Sequence, residues 1–269
     1  MEIGITGKSG FLGKAFSEVM ESRGHSIRDF SGDITKREAL VGFFDGCDVV
    51  VHLAGVFSDE YDQLMDVNVF GTRNVVDACV KSGIGSLVFA STGAVYGERD
   101  GKPAMENDPL DPNTLYGLSK RYAEEYVAFS GIRRVILRFS SIYGPGNEKG
   151  VISNFIRSVK KDGVVKIFGT GEQKRDFVYV DDVVNALIRA VEWEGVSETF
   201  NISGGIAYSL NEIVDILKEH GLLFEEVHED FEASNALRVL SQSNKKAVQI
   251  LHWEPSVGFE EGIRRTIGQ

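Results

Sequence analysis

Cysteine is nearly absent, with only Cys47 and Cys79 in 269 residues. Both sit in apolar segments, GCDVVV and VVDACV, so reduced core thiols are expected rather than a disulfide or a nucleophile. The five histidines, at 25, 52, 220, 228 and 252, show no ligand spacing with one another or with cysteine, and no metal site is predicted. No apolar run approaches the ~20 residues needed to cross a bilayer. Positive charge is also scarce: 29 Lys and Arg face 40 Asp and Glu, for a net charge of −11. That balance argues against nucleic acid or an anionic membrane as a partner. An anionic small ligand then has to be held by local donors. The stretch MEIGITG begins directly as a strand, with no basic n-region and no cleavage site, from which a cytoplasmic protein is expected.

What is present is an ordinary globular composition, 42% hydrophobic and 26% charged. A chain of this length buries roughly three quarters of its unfolded surface. Strand-like and helix-like segments alternate from the first residue. EIGIT is a short β-type run, FLGKAFSEVMESRG an amphipathic helix ending at Gly24, and HSIRDF a short strand. Thr35 and Glu38 stand at capping-box spacing and predict a helix start. DVVVHLAG and SLVFAST are apolar on both faces, as buried parallel strands require. Long helices are predicted over 58–82 and 113–130, then a strand at RRVILRFSS. This order implies an α/β fold with a Rossmann-type, doubly wound parallel sheet over residues 1–145.

After about residue 145 the pattern loosens. Helices are predicted near 151–161, 181–193 and 209–220, the last with Ser209 and Glu212 at capping-box spacing. Short strands VVKIF, DFVYV and ETFNI lie between them, residues 224–258 read as polar and irregular, and a final helix follows Phe259. Residues 146–269 are therefore expected to form mainly a smaller α/β substrate-binding lobe, with some segments returning to the first domain.

The segment GITGKSGFLG puts Gly7, Gly10 and Gly13 between the first strand and the first helix. Glycines there allow a tight turn, close approach of a pyrophosphate and close helix–strand packing, with the helix N-terminus facing the phosphates. For NAD, an acidic residue at the end of the second strand accepts the ribose hydroxyls. Asp29 is close to that place, Ser31 is the alternative terminal residue, and Asp33 in GDIT reaches toward the adenine edge or merely precedes a helix cap. Lys8 and Arg28 keep NADP open as an alternative through a 2′-phosphate.

Tyr116 and Lys120, in TLYGLSK, share one helix face. A nearby ammonium and a cationic nicotinamide both favour phenolate over phenol and bring the tyrosine pKa toward neutrality. Such a phenol exchanges a proton with a substrate hydroxyl while hydride moves at the same carbon. FASTGAVYG delivers Ser91 and Thr92 to a strand end that opens on the same cleft.

These motifs together resemble the extended short-chain dehydrogenase/reductases of the NAD-dependent epimerase/dehydratase family, of the UDP-galactose 4-epimerase-like kind. The resemblance runs through TGKSGFLG, GDIT, VVHLAG, NVFGTRNV, STGAVYG, YGLSK, LRFSSIYGPGN, GEQKRDFVYVDDV and HWEPSVGFEEGI, nearly the whole chain. It implies Thr92, Tyr116 and Lys120 as the catalytic set, with Lys120 also holding the nicotinamide ribose. It implies a cofactor site of Gly7, Gly10, Phe11, Leu12, Gly13, Asp29, Ser31, Asp33, Ile34, Leu53, Ala54, Gly55, Asn68 and Phe139 beside Tyr116 and Lys120. For a nucleotide-sugar substrate it implies Ser91, Thr92, Gly93, Tyr116, Ser141 and Arg175, and it implies a homodimer through the helices near 58–82 and 113–130.

The chain also departs from the family pattern. Dehydratases carry an Asp-Glu pair directly after the catalytic hydroxyl, and here those positions are Gly93 and Ala94. Ser141 replaces the asparagine of LRxxN, and an Arg-Pro-Gly-Asp segment has no counterpart, leaving Arg238 as its shifted substitute. The segment between the second strand and GDIT is short, so a more open adenosine end is expected. An epimerase acting at C4 of a UDP- or dTDP-sugar is the leading expectation. A one-way NAD(P)-dependent dehydrogenase or reductase is the alternative, and a non-catalytic cofactor-binding regulator is the third.

Overall fold

The structure, a computed structural model, describes residues 1–99, 101–229 and 239–268. In chain order the first half comprises β1 (Glu2–Thr6), α1 (Phe11–Ser22), β2 (Ser26–Phe30), a 3-10 turn (Arg37–Leu40), β3 (Val49–His52) and α2 (Tyr61–Leu64). A π-helical stretch (Met65–Gly71) joins α2 to α3 (Thr72–Lys81), and β4 (Ser86–Thr92), a 3-10 turn (Gly93–Tyr96), α4 (Leu115–Phe129) and β5 (Arg133–Phe139) follow. The second half comprises β6 (Ser141–Tyr143), α5 (Val151–Asp162), β7 (Val164–Phe168), β8 (Lys174–Tyr179), α6 (Val180–Val191), β9 (Glu198–Ile202) and β10 (Ala207–Ser209). It ends with α7 (Leu210–Glu219), β11 (Glu225–Glu229), β12 (Val239–Leu240), a π-helical turn (Ala247–Leu251) and α8 (Phe259–Ile267).

Six parallel strands form the main sheet in the order β2-β1-β3-β4-β5-β9. Period-two alternation divides each strand between two cores. Ile3, Ile5, Val49, Val51, Val88, Val135 and Leu137 face α1 and α6, while Val50, Leu87, Phe89 and Ile136 face α3 and α4. Helices thus cover both faces, as a parallel sheet requires. Successive connections leave β1 in opposite directions, to β2 on one side and β3 on the other. A crevice therefore opens at the carboxyl ends of β1 and β3, where such sheets bind ligands. Between β2 and β3 the chain forms no further strand, so β2 is the sheet edge and Asp29 is exposed on it.

Around this sheet the second half of the chain adds shorter pairings. β8 runs antiparallel to β10 and parallel to β6 and β12, and β7 pairs in parallel with β11. Part of the region expected to be irregular, 224–258, is therefore strand. Its partners lie more than sixty residues upstream, beyond the reach of local pattern. Two other expectations change. Thr35 and Glu38 do not form a capping box, because the Asp33 Oδ1 takes the Thr35 N–H at 2.9 Å and only a 3-10 turn follows. The helix expected from residue 58 starts at Tyr61, after Ser58 Oγ accepts the Glu60 N–H. The capping box at Ser209 and Glu212 is present, and both cysteines are free and buried.

The segment before α8 is tied back to α6 by one carboxylate. Asp182, 1% exposed, accepts the Ser256 N–H at 2.9 Å, the Ser256 hydroxyl at 2.6 Å and the Val257 N–H at 3.1 Å, and its own carbonyl accepts the Trp253 indole N–H. Asp182→Ala leaves three donors without their acceptor, so a loss of roughly 2–4 kcal/mol is expected. Chemical denaturation of the two proteins checks this, and an unchanged midpoint would contradict it.

Candidate active site

The glycine turn is shaped by contacts that admit no side chain. Gly7 adopts φ +81°, and a Cβ there would lie 2.6 Å from the Ala54 nitrogen. At Gly13 a Cβ would stand 2.1 Å from the Gly7 carbonyl oxygen, so α1 packs directly on the turn. The α1 N-cap, Gly10, supplies no side-chain cap, which leaves the first N–H groups of the helix for an anion. Phe11 and Leu12 are partly buried against the core below.

At the end of β3, Thr6, His52 and Thr72 form a fully buried polar chain. Thr6 Oγ1 lies 2.6 Å from His52 Nδ1, and His52 Nε2 lies 2.9 Å from Thr72 Oγ1. Burial, with Lys120 nearby, pulls the imidazole down to about 3, so it is neutral. Thr6 Oγ1 also accepts the Ala54 N–H and so fixes Leu53–Gly55 as one wall of the crevice. Asn68 holds the next part of that wall. Its amide bonds both backbone groups of Val56, at 2.8 and 2.9 Å, and donates to Ser119 Oγ at 3.0 Å. Asn68 sits in the π-helical stretch, a distortion that recurs at functional sites.

Asp29, Ser31 and Asp33 are exposed at the open edge of the sheet, whereas Ile34 turns inward. The Ile34 side chain packs against Gly71, and its carbonyl accepts from Asn74, so it supports this end of the site from beneath. The two cations considered for a 2′-phosphate are engaged elsewhere. Lys8 pairs with Glu21 at 2.8 Å, and Arg28 bonds Glu2 and the carbonyls of Phe43 and Asp45.

Thr92, Tyr116 and Lys120 converge at the end of β4. Thr114 caps α4 by accepting the Gly117 N–H at 3.1 Å, and Tyr116 and Lys120 follow on one face. Burial pushes the Tyr116 phenol up to about 12, while its hydrogen bond with Thr92 acts in the opposite direction. With the protein's groups alone the phenol is therefore protonated, and the expected drop toward neutrality needs the added charge of a nicotinamide cation. Lys120 is 5% exposed, and burial brings it down to about 8 against the pull of Glu124. Its Nζ lies 4.3 Å from the centre of the Phe89 ring, beneath Gly55. Phe57, exposed at the cleft mouth, meets the Tyr116 ring edge-on at 4.9 Å.

Ser91 corrects the sequence reading. Adjacent strand residues point to opposite faces, and with Thr92 in the cleft the Ser91 hydroxyl turns inward and donates to Glu124. Gly93 is buried, and a Cβ there would meet the Gln242 side-chain oxygen at 2.4 Å. Phe139 lies beside Thr92 in register, in the core. Ser141 and Arg175 come from β6 and β8, both paired around the end of the sheet. The Arg175 guanidinium is half-buried with no carboxylate partner among the described residues, and burial pulls its pKa down. Arg238 lies outside the described residues. Sequence reasoning missed Glu124 and Arg138, although Glu124 repeats the four-residue spacing from Lys120.

Residues 3–203 match the NAD dependent epimerase/dehydratase family. The chain belongs to this family. It is similar to a putative UDP-glucose 4-epimerase of Methanocaldococcus jannaschii, 39% identical over 83% of this chain and 77% of the relative. Among solved structures it resembles MoeE5 in complex with UDP-glucuronic acid and NAD, with a TM-score of 0.93, 29% identity and coverage of 100% and 98% of the two chains. It also resembles a UDP-glucose 4-epimerase of Thermotoga maritima with UDP-glucose, with a TM-score of 0.92, 30% identity and the same coverage. The chain is thus an NAD-dependent enzyme of the extended short-chain dehydrogenase/reductase type with nucleotide-sugar epimerase/dehydratase-type function. The residues present fit the dinucleotide: the cradle at Gly7 and Gly13, the uncapped α1 and the Leu53–Gly55 wall lie along one crevice. Among the described residues no helix is long and apolar enough to cross a membrane.

Proposed function

We propose that the protein is an NAD-dependent 4-epimerase of a UDP-sugar. The observation that carries this reading is the sequence Thr92-Gly93-Ala94 at a site whose phenol is bonded to Thr92. A hydroxyl, a phenol and an ammonium are in place, and the two positions that hold a dehydratase's acid and base have no ionisable group. The names of the Methanocaldococcus jannaschii and Thermotoga maritima relatives point the same way.

When bound, NAD supplies the acceptor and donor of hydride. Gly7, Gly10 and the α1 N-terminus would hold its pyrophosphate, Asp29 or Ser31 the adenosine ribose, and Lys120 the nicotinamide ribose. Thr92 orients the C4 hydroxyl of the sugar, and Tyr116 takes its proton and, once the ketone has turned its other face in the cleft, returns it to the carbonyl oxygen. Arg175 supplies the local cation that an anionic ligand of a −11 protein requires, and would hold the diphosphate. Arg175→Met is expected to raise KM for the UDP-sugar at least about tenfold, with kcat within threefold in steady-state assays.

Reversible interconversion of UDP-glucose and UDP-galactose, with no net NADH, is the expected activity. Net NADH or NADPH turnover on a sugar without an epimer would favour the one-way dehydrogenase or reductase, a reading motivated by the missing arginine segment. We further propose a homodimer through α2–α3 and α4, which expose Tyr61, Phe70, Tyr122, Tyr126 and Phe129. Sedimentation equilibrium tests it, and a monomer at micromolar concentration would exclude it.

A further inference from the structure

Directly beneath the reaction centre lies a buried charged network that the mechanism does not use. Glu124, 4% exposed, sits one turn beyond Lys120 and two beyond Tyr116 on α4. Its carboxylate accepts from Arg138 Nε at 3.0 Å and Nη2 at 2.7 Å, and from the Ser91 hydroxyl. Arg138 Nη1 donates to Tyr96 Oη at 2.8 Å and to the Glu106 carbonyl, and Tyr96 Oη donates to Asn201 Oδ1 at 2.7 Å. One carboxylate thus joins α4, β4 and β5 directly, and reaches the turn after β4 and strand β9 through Arg138. Ser91 is covalently next to Thr92, so the Ser91–Glu124 bond is a second polar tie, beside the Thr92–Tyr116 hydrogen bond, between the strand end carrying Thr92 and the helix carrying Tyr116 and Lys120.

We propose that Glu124 is a positioning residue for the reaction centre: through Ser91 it holds the strand end that carries Thr92 against the helix that carries Tyr116 and Lys120, and one helical turn from Lys120 it is placed to act on that ammonium. This rests on the reading of Thr92, Tyr116 and Lys120 given above. Replacing a buried ion pair with apolar groups is often neutral for stability, so retaining one within a turn of an active lysine fits a role beyond packing.

The charges facing Lys120 are few. His52 on β3 is neutral, held at about 3, and Tyr116 on the same helix is neutral, held at about 12. Among the described residues Glu124 is the one anion acting on Lys120, and Arg138 on β5 pairs with it. Read in a Tyr116→Phe background, which removes the phenol that a bound nicotinamide cation would itself bring toward neutrality, an alkaline transition between pH 7 and 10 in NAD affinity belongs to Lys120.

The test compares wild type, Glu124→Gln and Ser91→Ala. NAD affinity is measured against pH by calorimetry in the Tyr116→Phe background, and kcat and KM are measured on UDP-glucose with Tyr116 in place. Glu124→Gln removes the anion and leaves Arg138 without its carboxylate, so the alkaline midpoint for NAD should move down by about one pH unit. Ser91→Ala keeps the ion pair and cuts only the tie to β4. It should lower kcat roughly tenfold to a hundredfold, with KM and NAD affinity within twofold. A folded Glu124→Gln with an unmoved midpoint, or Ser91→Ala with kcat within twofold of wild type, overturns the proposal. If Glu124→Gln does not fold, Ser91→Ala decides alone. Wild type that binds NAD but does not turn over UDP-glucose refutes the proposed function instead, and the NAD midpoint still reads the Glu124–Lys120 coupling.

Discussion

Tyr116→Phe should lower kcat by roughly 10²- to 10⁴-fold, the range for removing a positioned acid–base group. The change deletes one oxygen. Phe in its place still meets Phe57 edge-on, Thr114 still caps α4, and Lys120 still lies over the Phe89 ring. NAD affinity and thermal stability should therefore stay close to wild type, so the loss falls on chemistry alone. The protein's own groups hold the phenol near 12, so wild-type single-turnover rates should rise with pH as phenolate forms, and the variant should lose that rise. Retention of more than a tenth of the single-turnover rate would remove the phenol from the mechanism.

The second large effect is expected at Gly13→Ala. Its methyl group would meet the Gly7 carbonyl oxygen at 2.1 Å and the Lys8 Cα at 2.7 Å, and both are backbone atoms that no rotamer change relieves. Gly7 cannot retreat, because it is itself pressed on Ala54. The turn or α1 must shift, moving the N–H groups that face the pyrophosphate. Overpacking of this kind costs about 1–3 kcal/mol, or roughly tenfold to a hundredfold in NAD affinity if it falls on the binding turn. Gly258→Ala, where an added Cβ meets nothing within 4 Å, is the matched control. Calorimetric titration with NAD checks the pair, and equal affinities would show that the turn does not bind the cofactor.

The parallel sheet, and the convergence of Thr92, Tyr116 and Lys120 on one strand end, were legible in the sequence because both rest on short-range regularities. Apolar strands alternate with amphipathic helices, TGKSGFLG follows the first strand, and YGLSK opens a helix. Ser91 was misread because two neighbouring hydroxyls at a strand end look alike in a string, while the pleat sends them to opposite faces. Glu124 was overlooked although it continues the spacing of Tyr116 and Lys120, because its partners Ser91 and Arg138 are brought to it only by the sheet. The pairing of β11 with β7 and of β12 with β8 was invisible for the same reason. At Thr35 a good local signal lost to a nearer one, the Asp33 carboxylate. The exposed edge at β2 was foreshadowed by the short segment before GDIT, since a missing strand shows directly as missing length.

The most direct test of the central claim follows the hydrogen at C4. UDP-glucose deuterated at C4 is incubated with the NAD-loaded protein in ordinary water. The account predicts UDP-galactose that keeps its deuterium at C4, with no accumulation of reduced cofactor, because the abstracted hydrogen returns to the same carbon from within one closed site. A product carrying solvent hydrogen at C4, or reduced cofactor accumulating with no UDP-galactose, would contradict it.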